Sequence, residues 1–200
     1  MNNYIVINGQ KIELTTEQVE QIEASFQEKG LRLGDAVAGG TVMLGSHEMI
    51  VLDHIGDGTL LLRKDPLKKM AFGKNNNYTG SEVDAVCNEF AAELAGIVGE
   101  DNILIHEVDL TADDGLKDYG VIQRKASLRT AQMQRKYVEI LDKYKLDIWE
   151  WLATAFSTPT HDDDDWVKCV APSGGIYYDF SLVCAVRPFC ILKSDIFVSA

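Results

Sequence analysis

The chain has 200 residues, with 31 acidic and 19 basic side chains and a formal net charge of −12. This length suits one domain with a small appendage and a substantial core, so no metal or disulfide staple is required. Because so negative a chain repels phosphate backbones and attracts basic partners, direct DNA or RNA binding is not expected. The composition, 46% hydrophobic and 25% charged, is typical of a folded soluble protein.

Residues 1–30 are predicted to form a separate N-terminal unit. Two β-prone runs flank Asn8-Gly9, the dipeptide best suited to a type I′ turn, and together they predict a hairpin. Thr15 and Gln18 then form a capping-box pattern at the start of an amphipathic helix that stops at Gly30. The apolar face of this helix is formed by Val19, Ile22 and Phe26. Such a face must pack either on the main domain, residues 31–200, or across a homo-oligomer interface.

The middle of the chain combines short strands with two helices. Apolar runs over 40–45, 48–52 and 58–63, separated by glycine turns, predict a β-meander. Ser81 is a suitable N-cap for a helix that ends near Gly99. A second helix is predicted from Ser127 through Tyr137 to Leu141, since no breaker interrupts the pattern.

The last third of the chain returns to β-type runs at 166–170, 175–178, 184–188 and 189–192. A turn over 172–175, Pro-Ser-Gly-Gly, predicts a hairpin between the first two. Strands first, helices in the middle and strands last predict an α+β domain in which the two ends of the chain meet in a sheet.

Three C-terminal segments occur in a familiar order: Trp149-Glu150-Trp151-Leu152-Ala153-Thr154, the hairpin over 167–174, and Ala185-Val186-Arg187-Pro188. In this order the chain resembles a domain of unknown function common in prophages and gut Firmicutes. The signature of that domain is a W-W-L-[AR]-[ST]-P segment, a V-x-x-x-G hairpin and a terminal G-V-R-P strand. Further matches lie at 75–78, 110–115, 119–120 and 127–130, so the resemblance covers most of residues 31–200. Ala155 and Ala185 depart from the proline and glycine usual in the family.

The resemblance implies a C-type lectin-like fold, a mixed sheet with flanking helices whose irregular loops carry recognition. The same fold includes the formylglycine-generating enzymes and the variable ligand-binding proteins of diversity-generating retroelements. The cysteine arrangement of the formylglycine-generating enzymes does not appear here, so that activity is not carried over. The expected fold is therefore an α+β, C-type lectin-like domain over 31–200, preceded by the hairpin and helix of 1–30.

The most conspicuous candidate site is the run Thr-His-Asp-Asp-Asp-Asp-Trp at 160–166. Adjacent side chains of an extended chain point to alternating sides, and the spaced oxygens, central glycine and terminal glutamate of a calcium loop are missing. A solvated acidic surface is therefore favoured over a metal site. The predicted partner-binding residues are His161, Asp162, Asp163, Asp164 and Asp165.

Aromatic and turn residues form the remaining candidates. A ligand face that stacks on sugars is one interpretation of Trp149, Trp151 and Trp166, although core packing is the commoner role of large aromatics. Arg187 is expected to be a structural hydrogen-bond hub, because its guanidinium stays protonated and organises carbonyls and carboxylates. Asp113 and Asp114 are expected to act structurally, as a turn signal before Gly115.

No recognised catalytic, metal or cofactor motif occurs, so neither a cofactor nor an enzyme is predicted. The four cysteines lack CxxC spacing and are expected to be buried free thiols in strands: Cys87, Cys169, Cys184 and Cys190. The start of the chain lacks the basic region and apolar run of a signal peptide, which favours the cytoplasm, and the resemblance to prophage proteins implies the host cytoplasm or a virion.

The leading hypothesis is a non-catalytic phage or prophage module that binds a protein partner through its acidic loop. A sharper version is an anti-CRISPR-like inhibitor of a host nucleic-acid enzyme, since a −12 chain can compete for a basic channel. The alternative is a carbohydrate-binding or virion-surface protein, expected from the resemblance and the tryptophans. An enzyme with an unrecognised site and a purely structural oligomeric module stay open as lesser alternatives.

Overall fold

The structure, a computed structural model, describes residues 4–7, 10–18 and 30–199. Over these residues the chain is α+β, with strands predominating over a few helices. The helices are α1 (Glu82–Val98), α2 (Ala131–Lys136) and α3 (Val138–Leu141), and single 3-10 turns occur at Leu33–Asp35, Glu100–Asn102, Asp142–Tyr144 and Pro159–His161. The strands are β1 (Tyr4–Ile7), β2 (Gln10–Glu13), β3 (Leu31–Arg32), β4 (Thr41–Leu44), β5 (His47–Ile55), β6 (Gly58–Arg63), β7 (Lys68–Met70), β8 (Ile103–Leu104), β9 (His106–Asp109), β10 (Val121–Arg124), β11 (Ala126–Leu128), β12 (Glu150–Ala155), β13 (Val167–Val170), β14 (Ile176–Asp179), β15 (Cys184–Val186), β16 (Pro188–Lys193) and β17 (Phe197–Val198).

The N-terminal hairpin is confirmed, with β1 and β2 antiparallel and Tyr4 opposite Glu13. The capping box is confirmed as well. The Gln18 amide donates to Thr15 Oγ1 at 3.2 Å, and the Thr15 amide donates to Gln18 Oε1 at 2.9 Å. The predicted apolar face of the following helix, Val19, Ile22 and Phe26, lies outside the described residues.

A six-stranded sheet is built on the predicted meander of β4, β5 and β6. Its order is β11-β16-β6-β5-β4, and β8 also pairs with β16, so a C-terminal strand lies inside the sheet. Near the end of the chain β17 pairs with β3, whereas β1 at the start of the described residues pairs with β2, so the C-terminal end meets residues 31–32 and not the N-terminal hairpin. A Cβ at Gly30 would overlap the Val198 carbonyl, so this close approach requires glycine.

A five-stranded sheet, in the order β14-β13-β12-β15-β7, contains the signature segments. The strands β12 and β15 are parallel, with Glu150 opposite Ala185, whereas β13 and β14 form the predicted antiparallel hairpin. In its turn the Gly174 amide donates to the Ala171 carbonyl at 2.8 Å, and the positive φ of 92° at Gly174 suits a residue without a Cβ.

The helix α1 connects the cores of the two sheets. It begins at Ser81, whose Oγ accepts from the Asp84 amide at 3.2 Å, and ends at Gly99, as predicted. Phe90 and Leu94 pack in the core of the six-stranded sheet, while the Cys87 face of the helix packs in the core of the five-stranded sheet. The two sheets and α1 therefore form one continuous framework for the loops.

The prediction of a helix from Ser127 was wrong at its start. Residues 126–128 form β11, and Leu128 pairs with Pro188 of β16. Helical propensity in this segment is weak, and pairing with a buried strand outweighs it. The helix begins only after Thr130, whose Oγ1 accepts from the Met133 amide at 3.2 Å, and Tyr137 separates α2 from α3.

The four cysteines are buried free thiols, as predicted. Cys169, Cys184 and Cys190 lie in strands as expected, but Cys87 does not, because it lies on the apolar face of α1. Burial raises the pKa of the Cys87, Cys169 and Cys190 thiols to about 12, and it raises that of Cys184 as well.

In the described part of the chain, no helix is both long and apolar enough to cross a bilayer.

Candidate partner-binding surface

The acidic loop, residues 157–166, connects β12 to β13. Its first half is the 3-10 turn Pro159–His161, which ends at Asp162 with a left-handed φ of 56°. Aspartate tolerates this conformation better than most residues, and the Asp162 amide donates to the Pro159 carbonyl at 3.0 Å. The run of aspartates therefore follows a defined turn instead of continuing as an extended strand.

Asn76 holds both ends of the acidic loop from beneath. This residue is completely buried, and its Nδ2 donates to the carbonyls of Ser157 at 3.2 Å and Trp166 at 3.3 Å. Its main-chain amide donates to the Asp164 carbonyl at 2.6 Å. Its Oδ1 accepts from the Tyr119 hydroxyl at 2.5 Å. Because both the nitrogen and the oxygen of its side-chain amide are hydrogen-bonded, Asn76 fixes the loop on the body of the domain.

A second acidic segment, residues 113–120, lies against the acidic loop. Asp114 Oδ2 accepts from the Ser157 hydroxyl at 2.5 Å and lies 2.9 Å from His161 Nδ1. The Ser157 hydrogen bond lowers the pKa of Asp114, aided by the Leu116 amide and by His161. His161 is therefore positioned by a carboxylate from another segment, and Asp114 forms the expected turn before Gly115.

Asp118 joins the two segments at a further point. Its Oδ2 accepts from the hydroxyls of Thr158 and Thr160, each at 2.5 Å. These hydrogen bonds lower the pKa of Asp118. Burial raises the pKa of the neighbouring Tyr119, and the charges of Asp164 and Asp118 raise it further. The carboxylates thus share one small region of negative potential.

The four consecutive aspartates have two different roles. Asp163 is half-buried, and its Oδ1 accepts from the amides of Asp165 and Trp166, each at 3.2 Å. The other three are exposed: Asp162, Asp164 and Asp165. Within the described residues, none of these three carboxylates is in an ion pair. Three charges therefore point to solvent from a fixed loop, while the fourth stabilises its turn.

Asp113 is neutralised locally. It lies 2.7 Å from Lys168 Nζ and 3.1 Å from the Arg135 guanidinium. Burial by itself would raise the pKa of Asp113, but the hydrogen bonds from Lys168 and Arg135 lower it overall. Asp113 therefore has the structural role expected from the sequence and adds little to the outward charge.

An aromatic cluster adjoins the acidic loop. The Trp166 ring lies 5.3 Å from that of Tyr178 and 4.6 Å from that of Phe180, and Phe156 lies 4.6 Å from Tyr178. Lys168 Nζ lies 5.4 Å from the centre of the Tyr178 ring. Tyr178 is 48% and Phe180 59% exposed, so apolar area is available beside the free carboxylates. We call the outward residues of this cluster and of the acidic loop the acidic–aromatic surface: Asp162, Asp164, Asp165, Trp166, Tyr178 and Phe180.

The three tryptophans do not form one ligand face. Trp151 is completely buried, and its Nε1 donates to the Met70 carbonyl at 2.9 Å, so it belongs to the core. Trp149 stacks edge-on against Tyr177 at 5.6 Å, whereas Trp166 packs on Tyr178. Since successive residues of a strand point to opposite faces, Trp149 and Trp166 lie on opposite sides of β14.

Arg187 is the structural hub that the sequence indicated. It is buried, and its guanidinium donates to the Arg63 carbonyl at 2.7 Å, the Tyr144 carbonyl at 3.2 Å and Glu150 at 3.4 Å. Glu150 also accepts from the buried Arg129. Burial would raise the pKa of Glu150, but the charge of Arg129 and the contact with Arg187 lower it.

Comparison with known proteins does not assign the chain to a family. No family model, curated protein or solved structure matches it. Within the residues that the structure describes, no group of three or more histidine, cysteine, aspartate or glutamate side chains is arranged to hold a metal ion.

One group of titratable side chains lies at an apolar cavity of about 400 Å³. The Tyr137 hydroxyl donates to Asp53 at 2.8 Å, and Lys136 Nζ lies 2.7 Å from Tyr137 Oη and 3.1 Å from Asp53. Burial raises the pKa of Tyr137, and the hydrogen bond to Tyr137 raises the pKa of Lys136. Both shifts move these pKa values away from neutral pH, and the three side chains form one hydrogen-bonded group.

His106 lines the same cavity and gives a testable pH dependence. Its Nε2 lies 2.9 Å from Ser127 Oγ, and burial lowers its pKa from 6.5 to about 4. A neutral His106 therefore contributes stability that is fully present above pH 6.5 and is lost as the pH falls towards 4. Between pH 6.5 and 4 the free energy of unfolding falls by on the order of 3 kcal/mol from this residue.

Urea unfolding at neutral and acidic pH will test this dependence by comparing the native chain with His106→Gln, whose amide does not titrate in this range. We expect the native chain to lose more stability on acidification than the variant. Parallel pH profiles would contradict the assignment.

The sequence did not identify several residues that form the acidic–aromatic surface or hold the acidic loop in place. Asn76 and Tyr119 lie in segments that carry the family resemblance, but nothing in their spacing indicates that they meet the acidic loop. Tyr178 and Phe180 belong to the run Tyr177-Tyr178-Asp179-Phe180, whose density of aromatics is a usable signal. No local pattern indicates the role of Asp118, because its partners, Thr158 and Thr160, are distant in sequence.

Proposed function

We propose that this chain is a non-catalytic, phage or prophage-type module that binds a protein partner through the acidic–aromatic surface. The proposal includes a C-type lectin-like scaffold over residues 31–200, acting in the host cytoplasm or on a virion. The observation that carries it is the set of three unpaired, exposed carboxylates held by Asn76 beside exposed aromatic rings. A basic partner surface satisfies both features, since its cations pair with the carboxylates and its apolar atoms pack on the rings.

The preferred partner class is a host enzyme that binds nucleic acid, inhibited in an anti-CRISPR-like manner. Such an enzyme has a basic channel, and a chain of net charge −12 is attracted to it over a distance. The acidic loop is held by hydrogen bonds with two other segments, those of Asn76 and of Asp114 and Asp118, so little loop entropy is lost when its carboxylates bind. Occupation of the channel would then compete with the phosphates of the substrate.

The exposed rings of Tyr178 and Phe180 next to carboxylates also favour a second candidate, a carbohydrate-binding or virion-surface protein. Aromatic faces pack on the C–H faces of sugars, and carboxylates accept from hydroxyl groups. A glycan array with and without calcium tests this candidate. Specific glycan binding that is lost in Tyr178→Ala would support it over binding to a basic protein.

The test of the leading proposal is an affinity capture from host lysate, eluted by a salt gradient and identified by mass spectrometry. The native chain is compared with the triple variant Asp162→Asn, Asp164→Asn and Asp165→Asn. A matched control removes the same number of exposed charges elsewhere, in Glu89→Gln, Asp101→Asn and Glu139→Gln. We expect the native chain and the control to retain a basic nucleic-acid enzyme, and the loop variant to bind it at least about tenfold more weakly. Equal recovery by all three proteins would overturn the proposal.

A further inference from the structure

The strand β14 has an open hydrogen-bonding edge. It ends the five-stranded sheet, and in the described part of the chain β13 is its strand neighbour. The Ala171 amide donates to the Gly175 carbonyl at 2.9 Å, and the register continues with Cys169 opposite Tyr177. Because hydrogen-bonded pairs alternate in an antiparallel ladder, Ile176 and Tyr178 direct their main-chain groups away from β13.

The side chains of β14 favour contact with another chain. Natural edge strands are commonly protected by lysine or proline, but this strand reads Ile-Tyr-Tyr-Asp. Tyr177 is 52% exposed on one face, and Tyr178 with Phe180 is exposed on the other. An added strand would therefore gain main-chain hydrogen bonds together with aromatic contacts on both of its faces.

The charge beside this edge indicates the chemistry of the occupant. Val167, the first residue of β13, lies opposite Asp179, the last residue of β14, and the acidic loop immediately precedes Val167. The contact between Trp166 and Phe180 places that loop at the same end of the strand. A segment that extends along β14 past Asp179 would therefore approach the end of the strand at which the acidic loop lies. A second copy of this chain would bring like charges together there, whereas a basic segment would neutralise them.

We propose that the open edge of β14 binds an extended, basic peptide segment of the partner protein as an additional strand. This inference rests on the proposed function for the charge of the occupant, but it adds a distinct mode of recognition. The main chain of Ile176 and Tyr178 provides the hydrogen bonds, the aromatic rings hold alternate side chains, and the acidic loop binds lysine or arginine at the end of the segment.

The probe is a fluorescent peptide of alternating valine and lysine that ends in arginines, with binding followed by fluorescence anisotropy. Its control has the same sequence with alternate main-chain nitrogens methylated, which keeps the charge but prevents strand pairing. On the protein side, Tyr178→Pro removes an amide that β13 does not use, and Tyr178→Ala removes the ring but keeps that amide. Proline is tolerated on an edge strand where its nitrogen faces solvent, and unfolding midpoints will verify that both variants fold.

We expect methylation to weaken peptide binding by about tenfold or more, and Tyr178→Pro to bind about tenfold more weakly than Tyr178→Ala. Equal binding of the two peptides, equal binding of the two variants, or no binding of the parent peptide would overturn strand addition. A dimer of the chain alone that Tyr178→Pro abolishes would assign the edge to a second copy and would also overturn it.

The same assay separates this inference from the proposed function. If the triple asparagine variant loses peptide binding while methylation has no effect, the charged surface is supported and strand addition fails. If methylation weakens binding while the triple variant binds normally, strand addition is supported and the acidic-loop mechanism fails.

Discussion

Replacing Glu150 with glutamine will lower the free energy of unfolding by about 3–5 kcal/mol, because it removes the carboxylate from a buried ion group. Glu150 accepts from Arg129 and Arg187, and all three side chains are almost completely buried. Glutamine has a similar shape but no charge, so two guanidinium groups would stay buried without a counter-charge. This loss of stability arises because two charged guanidinium groups stay buried without a counter-charge. It does not measure how much the intact ion group of Glu150, Arg129 and Arg187 contributes to the free energy of unfolding.

Urea unfolding at neutral pH measures this effect, and Glu100→Gln is the matched control. Glu100 pairs with Lys125 at 2.7 Å, but its side chain is 75% exposed, so the unfolding midpoint of that variant should be unchanged. The folded-state pKa of Glu150 lies below its ordinary value of 4.5. Its contribution is therefore fully present above pH 4.5 and lost as the pH falls through the folded value, so the native chain should approach the variant in acid. A small change at neutral pH would contradict the structural role of Arg187.

Changing Asn76 to alanine will destabilise the chain by about 3 kcal/mol and loosen the acidic loop. The change leaves the buried Ser157 carbonyl without the Asn76 donor and the Tyr119 hydroxyl without its acceptor, whereas the Trp166 carbonyl keeps the Phe156 amide as a donor. Unsatisfied buried groups cost about 1–3 kcal/mol each, although relaxation of the loop to water reduces the sum. The loop carboxylates would then have to be ordered again on binding, which weakens affinity.

Asn75→Ala is the matched control for Asn76, because this neighbouring amide is exposed and accepts only a local bond from Asn77. Hydrogen exchange followed by mass spectrometry should show faster exchange over residues 157–166 in Asn76→Ala and native exchange in Asn75→Ala. Unchanged exchange in both variants would show that Asn76 does not hold the loop.

Local patterns in the sequence predicted much of the fold. The hairpin of β1 and β2, the meander, α1 and the turn before β14 follow from turn residues, capping residues and apolar spacing, which act within a few residues. The segment at Ser127 failed because its conformation depends on pairing with Pro188, a partner far along the chain. The order of the strands could not be predicted for the same reason, since it depends on contacts between distant segments.

The candidate site was predicted only in part. The acidic run and the structural roles of Arg187, Asp113 and Asp114 were apparent from residue chemistry. The separate role of Asp163 was not, because it depends on the turn that follows Asp162. Trp151 and Trp166 look alike in sequence, yet the first is buried in the core and the second borders the surface. Asn76 acts through tertiary contacts that no local pattern encodes.

The most direct test of the central claim is the salt dependence of the dissociation constant for the captured basic partner. It should be measured for the native chain, the triple asparagine variant of the acidic loop and the matched triple variant at Glu89, Asp101 and Glu139. Binding through the loop predicts that the loop variant alone binds about tenfold more weakly or worse, with a shallower dependence on salt. The same affinity and salt dependence for all three proteins would contradict it.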